Sequence, residues 1–508
     1  MRLFSFFMAL ALPALLVAAD PLQGLDARIQ DVLKQWDVPG AAVAVIKDGK
    51  PLLTRGYGVR ELGKPGGVDA HTRFGIASLS KAFTATALGI LVDEGKVAWD
   101  DPVQKHLPAF QLADPLASRE LTVRDLLCHR GGLGLGAGDL MLFGGNHSRT
   151  EVLAGLRHLK PASSFRSRYA YQNALYVVAG EVIQAASGEP WEAFIQNRIL
   201  RPLGMNRTLT GLESDGNTAI PHSPATGRLR PAPYRSLHTA AAAAALNSCA
   251  VDMVRWMQLQ LGQGQRDGLR LISEAALAET HQLQTPLPAR PSRDLALAPF
   301  DSHYKGYGLG WDLRDFRGRR MVSHTGGLDG MTCMLALLPD EGMGVLVLTN
   351  AETPVWRALV LEILDRLMVQ PFHDWSAAFL AQVNQRREAT RAFLAKSEAE
   401  RKAGSRPALA LEAYAGRYRD AWYGDVLITV EQGRLHLDMT RSRGFQGPMV
   451  PWHLETFKVD FVDPVVPSAL ATFQVDEAGR VTGLRLVPFS PDADFSYDYQ
   501  DLDLRRVR

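Results

Sequence analysis

Ser78 and Lys81 lie three residues apart at the start of an apolar run that ends at Val92. Positions i and i+3 share one face of a helix, so the lysine amine can lie against the serine hydroxyl. A lysine removed from water loses its proton readily and can then act as a base toward that hydroxyl. The pair can therefore generate a nucleophilic serine. The alternative interpretation is a helix-capping serine beside a solvated lysine.

A phenol and an amide lie two residues apart, ahead of a second helical run. Tyr171 and Asn173 precede the stretch 175–186. In an extended or turn segment, two such residues point the same way. The phenol can then pass a proton while the amide holds a substrate carbonyl. A packed tyrosine at a helix start is the alternative, and the triplet taken alone favours it.

A third polar group, His324-Thr325-Gly326-Gly327, lies ahead of strand-like sequences in the region 334–348. A glycine pair in a strand allows another molecule to approach the backbone closely. The group is therefore a candidate wall of a substrate cleft. A β-bulge beside a satisfied edge histidine is the alternative interpretation.

These groups need rigid elements to position them. Residues 25–36 carry apolar side chains at helical spacing, which predicts a helix. Residues 41–46 and 51–57 have strand character and flank an Asp-Gly turn, which predicts a hairpin. A further helix is predicted over 121–130.

The start of the chain has the pattern of a signal peptide. A charged residue, Arg2, is followed by a short apolar core and by small residues up to Ala19. This pattern predicts a signal peptide over residues 1–19 and an exported protein, secreted or periplasmic. The core is short for a membrane span, and no later apolar run has spanning length, so no stable membrane span is expected. An uncleaved anchor is the alternative.

Composition limits the classes of partner. The 508 residues include 56 Lys plus Arg and 54 Asp plus Glu. This near balance gives no electrostatic footprint for nucleic acid, so no nucleic-acid partner is expected. The length exceeds one ordinary core and predicts two domains.

Metal and disulfide chemistry have no supporting pattern in the sequence. The cysteines, which are far apart and odd in number, are Cys128, Cys249 and Cys333. The histidines considered as metal ligands, which lack ligand spacing, are His106, His129 and His147. We therefore expect buried cysteines, no metal and no cofactor.

The C-terminal part changes character twice. Residues 371–408 are helical and charged, which predicts a solvated linker. Residues 409–508 show short alternating strands, among them a first strand predicted over 414–418, and so predict a small all-β barrel. No catalytic set occurs in that barrel. We expect it to pack, to shape the mouth of the cleft or to support a homo-oligomer, and ligand binding is the alternative.

The three groups, taken in order, resemble the serine β-lactamase and penicillin-binding-protein family. The resemblance is to its branch of class C-like esterases, D-aminopeptidases and D-Ala-D-Ala carboxypeptidases, and it covers residues 22–370. It implies an α+β fold in which an antiparallel sheet is flanked by helices and a helical subdomain. The segments 411–418 and 451–457 resemble the lipocalin-like domain attached to many hydrolases of this branch.

The resemblance implies a role for each candidate side chain. Ser78 is the implied nucleophile and Lys81 its base. Tyr171 would carry the proton to the leaving group and then activate water. Asn173 would hold the substrate carbonyl, and His324 would line the opposite wall.

The glycine-rich strand has implied binding roles. Thr325, Gly326 and Gly327 would contact substrate. The backbone N–H groups of Ser78 and Gly327 would form the oxyanion hole, which stabilises the charge that develops on the reacting carbonyl.

Two departures from the family pattern affect the expected substrate. His324 stands where true β-lactamases and penicillin-binding proteins usually carry Lys, so a fixed cation for a β-lactam carboxylate is missing at neutral pH. The segment 163–168 lacks the Pro-Gly turn common in this branch. Antibiotic hydrolysis is therefore the less favoured activity.

The sequence thus predicts four segments: a signal peptide at 1–19, a β-lactamase-like hydrolase domain at 20–370, a helical linker at 371–408 and a lipocalin-like barrel at 409–508. The expected function is hydrolysis of a small ester or of a peptide that contains D-amino acids. A catalytically silent binding or scaffolding protein on the same fold is the alternative. A zinc hydrolase is disfavoured.

Overall fold

The larger domain is built on an eight-stranded antiparallel sheet. The computed structural model describes residues 20–211, 215–225, 227–401 and 406–507, so the predicted signal peptide lies outside the described residues. In spatial order the strands are Lys50–Gly58, Gly40–Lys47, Met343–Thr349, Met331–Leu338, Arg319–Leu328, Asp312–Phe316, Lys305–Tyr307 and Thr285–Leu287.

The strand Gly40–Lys47 joins the start of the chain to its later part. It pairs with Lys50–Gly58 on one side and with Met343–Thr349 on the other. Asp48 and Gly49 have φ angles of 51° and 73°, the left-handed values that a two-residue hairpin turn requires. The predicted hairpin is therefore confirmed.

Helices cover both faces of the sheet. One face packs against Leu25–Gln35, Val355–Leu367 and the start of Trp375–Glu400. The other face packs against Ala250–Leu261 and the apolar cluster that includes Ser80–Asp93. Because both faces bury apolar side chains, the central strands are continuous apolar runs rather than alternating ones.

Shorter helices form the subdomain beside the sheet. They are Val103–His106, Pro115–Glu120, Val123–Leu127, Arg149–Gly155, Ala174–Ser187, Trp191–Ile195, Arg201–Leu203, Ala241–Ala244 and Glu274–Thr280. The helix predicted over 121–130 is shorter than expected and ends at Leu127. The reason is that His129 adopts a left-handed φ of 62°, which takes the chain out of helical geometry.

The C-terminal part is a closed eight-stranded barrel, which confirms the second half of the predicted fold class. Its strands are Gly416–Asp420, Gly424–Glu431, Arg434–Met439, Gln446–His453, Thr456–Val459, Ala469–Val475, Val481–Pro488 and Leu504–Arg506. The first strand begins later than predicted, because residues up to Tyr414 form a helical turn, Leu411–Tyr414.

The barrel packs directly on the hydrolase domain. Gly145 forms a β-bridge with Ser442, and the His147 ring hydrogen-bonds the carbonyl of Tyr423 over 2.7 Å. The 26-residue helix Trp375–Glu400 precedes the barrel. The barrel segment that precedes its last strand also contacts the hydrolase domain, where Asp498 accepts the backbone N–H groups of Gly138 and Leu140.

Two further observations concern the cysteines and the helices. The three cysteines are buried and free, as expected. Among the helices of the described ranges, none combines the length and the apolar character needed to cross a membrane.

Candidate active site

Ser78 lies in a tight turn between a short strand and a buried helix. A 3-10 turn, Ala77–Leu79, precedes the helix Ser80–Asp93. Ala77 is buried and has a left-handed φ of 46°, which is costly for a residue with a Cβ atom. Surrounding packing therefore holds a strained backbone directly before the serine, as is common at functional sites.

Lys81 is fully buried behind Ser78. Its Nζ atom lies 3.1 Å from Ser78 Oγ, 2.7 Å from Asn173 Oδ1 and 3.2 Å from the carbonyl oxygen of Ala243. Burial lowers the pKa of Lys81 to about 7, although the negative charge of Asp139 acts against that fall. A substantial fraction of this lysine is therefore neutral near pH 7 and able to accept the Ser78 proton.

Asn173 connects the lysine to a buried carboxylate. It directly precedes the helix Ala174–Ser187, and its Nδ2 donates to Asp139 Oδ2 over 2.8 Å. Ser496, from the barrel, donates to the same oxygen over 2.9 Å. Burial raises the pKa of Asp139 to about 7, and both hydrogen bonds act against that rise.

Tyr171 lies over the lysine. Lys81 Nζ is 4.6 Å from the centre of the Tyr171 ring. Burial raises the pKa of the phenol, and a hydrogen bond with Ser78 only partly offsets that rise. The phenol is therefore protonated at neutral pH and can donate a proton to a leaving group.

Tyr171 is held between rings from both domains. His129 lies 4.2 Å from it and Phe495, from the barrel, lies 5.8 Å from it, as measured between ring centres. His129 Nδ1 accepts the backbone N–H of Gln172, and burial lowers the pKa of His129 well below its usual value. The ring beneath Tyr171 is therefore neutral.

His324 lies on the strand Arg319–Leu328, across the cleft from Tyr171. Its Nδ1 donates to the carbonyl oxygen of Thr325, 2.6 Å away, so its Nε2 accepts from the Tyr307 hydroxyl at 2.7 Å. Burial lowers the pKa of His324 to about 3. This wall of the cleft consequently offers a neutral imidazole and no positive charge.

Gly326 allows the strand to pass against the Ser78 turn. A Cβ atom at Gly326 would lie 2.4 Å from the Ile76 carbonyl oxygen and 2.6 Å from Cys333 Sγ. A Cβ atom at Gly327 would meet nothing within 4 Å. Gly326 is thus needed for close packing, whereas Gly327 faces the open cleft, where its N–H is predicted to bind an oxyanion.

A cavity of about 200 Å³ adjoins Gly327. Its apolar lining residues are Leu140, Phe143, Pro221, Pro233, Tyr234, Leu237, Leu328, Met331, Phe445 and Tyr497. Its other lining residues are Arg235, Gly327, Asp329, Thr332, Glu352, Asp494 and Ser496. Phe445 and the residues from 494 onward belong to the barrel, which therefore forms one wall of this cavity.

The structure brings all the predicted side chains together and adds others. Ser78, Lys81, Tyr171 and Asn173 form one contiguous group, and His324 lies across the cleft with Thr325, Gly326 and Gly327. Residues that the sequence did not single out are Asp139, Tyr307, Phe495 and Ser496. No motif spacing links them to the other groups, although Tyr307 begins a Gly-rich aromatic segment ahead of His324.

Metal ligation has no candidate in the described ranges. No group of three or more His, Cys, Asp or Glu side chains is arranged there to hold an ion.

Comparison with known proteins gives the family. The beta-lactamase family model matches residues 25–370, and a model for a domain of unknown function, DUF3471, matches residues 400–506. The chain belongs to the beta-lactamase family and is a serine hydrolase. The resemblance found in the sequence is thereby confirmed.

Individual relatives are similar over most of their length. The unguisins hydrolase ungD of Aspergillus violaceofuscus is 27% identical in an alignment of 464 residues that covers 83% of this chain and 80% of the relative. The octameric penicillin-binding protein homologue from Pyrococcus abyssi superposes with a TM-score of 0.59 at 22% identity, over 96% of this chain and 100% of that one. SurE with D-Leu gives a TM-score of 0.53 at 20% identity, over 96% and 99% of the two chains.

Proposed function

We propose that this serine hydrolase cleaves an ester or an amide through an acyl-enzyme on Ser78. The observation that carries the proposal is the 3.1 Å contact between Lys81 Nζ and Ser78 Oγ, made by a fully buried lysine. The lowered pKa of Lys81, about 7, supplies the neutral amine that the first step needs.

Acylation follows from these positions. Lys81 takes the Ser78 proton as Oγ bonds to the substrate carbonyl carbon, and the N–H groups of Ser78 and Gly327 stabilise the oxyanion. Tyr171 gives its proton to the leaving oxygen or nitrogen as that bond breaks. Lys81 then returns its proton to Tyr171, which leaves both side chains as they began.

Deacylation uses the same side chains in reverse. The Tyr171 phenol transfers its proton to Lys81 and accepts a proton from water. At the same time the water oxygen bonds to the acyl carbon. Lys81 returns this proton to Ser78 Oγ as the acyl bond breaks. The products are a carboxylic acid and free enzyme.

The strand Arg319–Leu328 gives the substrate a direction. Tyr171, which serves the leaving group, lies at the His324 end, with 6.2 Å between the two ring centres. The acyl group then extends past Gly327 toward Leu328 and the mostly apolar cavity. An acyl residue with a sizeable apolar side chain fits this arrangement.

Substrates that contain a D-amino acid are the proposed class, with small esters as the alternative. Support for the D-residue comes from the SurE structure with D-Leu, and support for hydrolysis comes from the relative named as a hydrolase of unguisins. The neutral His324 argues against a true β-lactamase, because a β-lactam carboxylate finds no cation there. A catalytically silent binding protein is disfavoured, because a buried lysine and a strained turn both lower the stability of the fold. A protein without catalytic activity would gain nothing from either feature.

Location and assembly are further parts of the proposal. The pattern of residues 1–19 supports export to the periplasm or the exterior. The octameric relative supports assembly of several copies of this chain, with the barrel as the proposed contact.

The test is turnover of a substrate panel. It comprises p-nitrophenyl esters, D-amino-acid amides and their L-enantiomers, D-Ala-D-Ala peptides and nitrocefin. We expect hydrolysis of esters or D-residue amides, little hydrolysis of nitrocefin, and loss of all turnover in Ser78→Ala. The matched control is Ser397→Ala, on the long exposed helix. Turnover of nothing by the wild type would favour the binding-protein alternative.

A further inference from the structure

Lys81 has three hydrogen-bond directions besides its own carbon chain. Two of them meet Asn173 Oδ1, at 2.7 Å, and the Ala243 carbonyl, at 3.2 Å. Both are oxygens that can only accept. The third direction meets Ser78 Oγ, which can both donate and accept. When the lysine is neutral, its two N–H groups must serve the two carbonyls, so its lone pair points at the Ser78 proton.

This arrangement depends on which way the Asn173 amide faces. A flipped amide would turn Nδ2 toward Lys81, and a donor there would compete with Ser78 for the lone pair. Asp139 opposes the flip, because its Oδ2 atom accepts hydrogen bonds from both Asn173 Nδ2, at 2.8 Å, and Ser496, so a flipped amide would set its oxygen against an atom that is already an acceptor.

The barrel holds Asp139 in place. Ser496 donates to Asp139 Oδ2, and Asp498 accepts the backbone N–H groups of Gly138 at 2.7 Å and Leu140 at 3.0 Å, on either side of Asp139. Asp139 and Asp498 are buried, and Ser496 is half-buried. One short barrel segment therefore hydrogen-bonds both the side chain of Asp139 and the backbone on either side of it.

We propose that Asp139 is a positioning residue that orients the Asn173 amide and, through it, the Lys81 lone pair, and that Ser496 of the barrel completes this arrangement. The barrel then contributes to the catalytic base itself. The inference rests on the proposed Ser78 acyl-enzyme and assigns to the C-terminal domain a part in forming it.

The charge of Asp139 affects the pKa of Lys81, and this effect distinguishes a positioning role from a purely structural one. The other titratable side chains facing Lys81 are His129, His324, Tyr171 and Tyr176, which are neutral at pH 7 because burial lowers the histidine pKa values and raises the tyrosine pKa values. Asp139 is itself faced by Asp494 and Asp498. The negative charge of Asp139 therefore raises the pKa of Lys81, and removing that charge lowers this pKa further.

The experiment measures single-turnover acylation of the full chain by a p-nitrophenyl ester as a function of pH. In Asp139→Asn we expect the plateau rate constant to fall about a hundredfold and its acid limb to move to lower pH. In Ser496→Ala we expect a fall of about tenfold, with recovery in Ser496→Thr, which keeps the hydroxyl. Ser490→Ala, in the same barrel segment but away from Asp139, is the matched control and should acylate normally.

The outcomes are distinct. The inference would be overturned if Asp139→Asn and Ser496→Ala both kept the wild-type rate constant and the wild-type acid limb. It would also be overturned if Ser490→Ala lost as much acylation rate as Ser496→Ala. The Ser496 variants keep the test decisive if Asp139→Asn fails to fold. A wild-type chain that forms no Ser78 adduct would overturn the proposed function as well, whereas failure of this inference alone leaves wild-type acylation intact.

Discussion

The Tyr307 hydroxyl donates a hydrogen bond to His324 Nε2 over 2.7 Å. His324 Nδ1 also donates to the Thr325 carbonyl, so both ring nitrogens of this buried, neutral histidine have hydrogen-bond partners. A position that carries a cation in related enzymes thus carries a fixed neutral group in this chain. The consequence for specificity can be tested through pH.

We expect substrate charge preference to be independent of pH between 5 and 8. Burial lowers the pKa of His324 from about 6.5 to about 3, so the ring gains no proton in that window. The measurement compares kcat/KM for a carboxylate-bearing ester and its uncharged analogue across this range. A ratio that rises as the pH falls through 6.5 would show that His324 titrates as an ordinary histidine.

The wild-type rate should rise with pH through about 7. The base must be neutral, and burial lowers the pKa of Lys81 to about 7, so the active form is lost as the pH falls below that value. We expect an acid limb near pH 7 in kcat/KM and nearly complete loss of acylation in Lys81→Ala. The surface variant Lys396→Ala is the control. An acid limb near pH 4 would point to a carboxylate base instead.

Replacement of Tyr171 by Phe should trap the acyl-enzyme. The change keeps the ring that packs on His129 and removes only the phenol. Since a general acid–base group contributes about a hundred- to ten-thousand-fold, the adduct should form slowly and then persist. Intact-mass spectrometry over time checks this. Turnover at the wild-type rate would make Tyr171 a packing residue and Lys81 the first candidate for activating water.

The two neighbouring glycines should respond differently to alanine. Gly326→Ala forces a Cβ atom to within 2.4 Å of the Ile76 carbonyl oxygen, so we expect destabilisation of about 1–3 kcal/mol and a large loss of activity as the strand moves from the Ser78 turn. Gly327→Ala is the matched control for stability alone, because its Cβ atom meets nothing within 4 Å but enters the substrate cleft. Chemical denaturation and turnover measure both effects. Equal stability of the two variants would show that the strand has room to move.

The sequence was sufficient to predict the α+β fold followed by an all-β barrel, and to single out three motif groups that lie close together in the structure. Ser78 with Lys81 depends on local helical spacing, and the hairpin depends on a turn signal, both of which are readable along the chain. The pair Asp139 and Ser496 is separated by 357 positions and meets only through domain packing, so no periodicity reveals it. The helix predicted over 121–130 ends early because His129 has a left-handed backbone conformation. The pattern of apolar residues does not reveal such a conformation, so the sequence alone could not predict this end.

The structure adds named contacts to one of the roles predicted for the barrel, that of shaping the mouth of the cleft. Its sequence shows no catalytic set, yet the structure places Phe495 on Tyr171 and Ser496 on Asp139. Contacts of this kind come from a segment between strands, whose position is set by packing rather than by its own residues. A domain whose sequence shows no catalytic set can therefore form part of an active-site wall.

Ser78 is the residue that carries the acyl group in the proposed mechanism. Full-length protein is mixed with a fluorophosphonate probe or an activated ester, digested, and mapped by mass spectrometry. We predict one adduct, on the peptide that contains Ser78, present in wild type and Ser397→Ala and absent in Ser78→Ala. An adduct on another residue, or the same labelling in Ser78→Ala, would contradict the account.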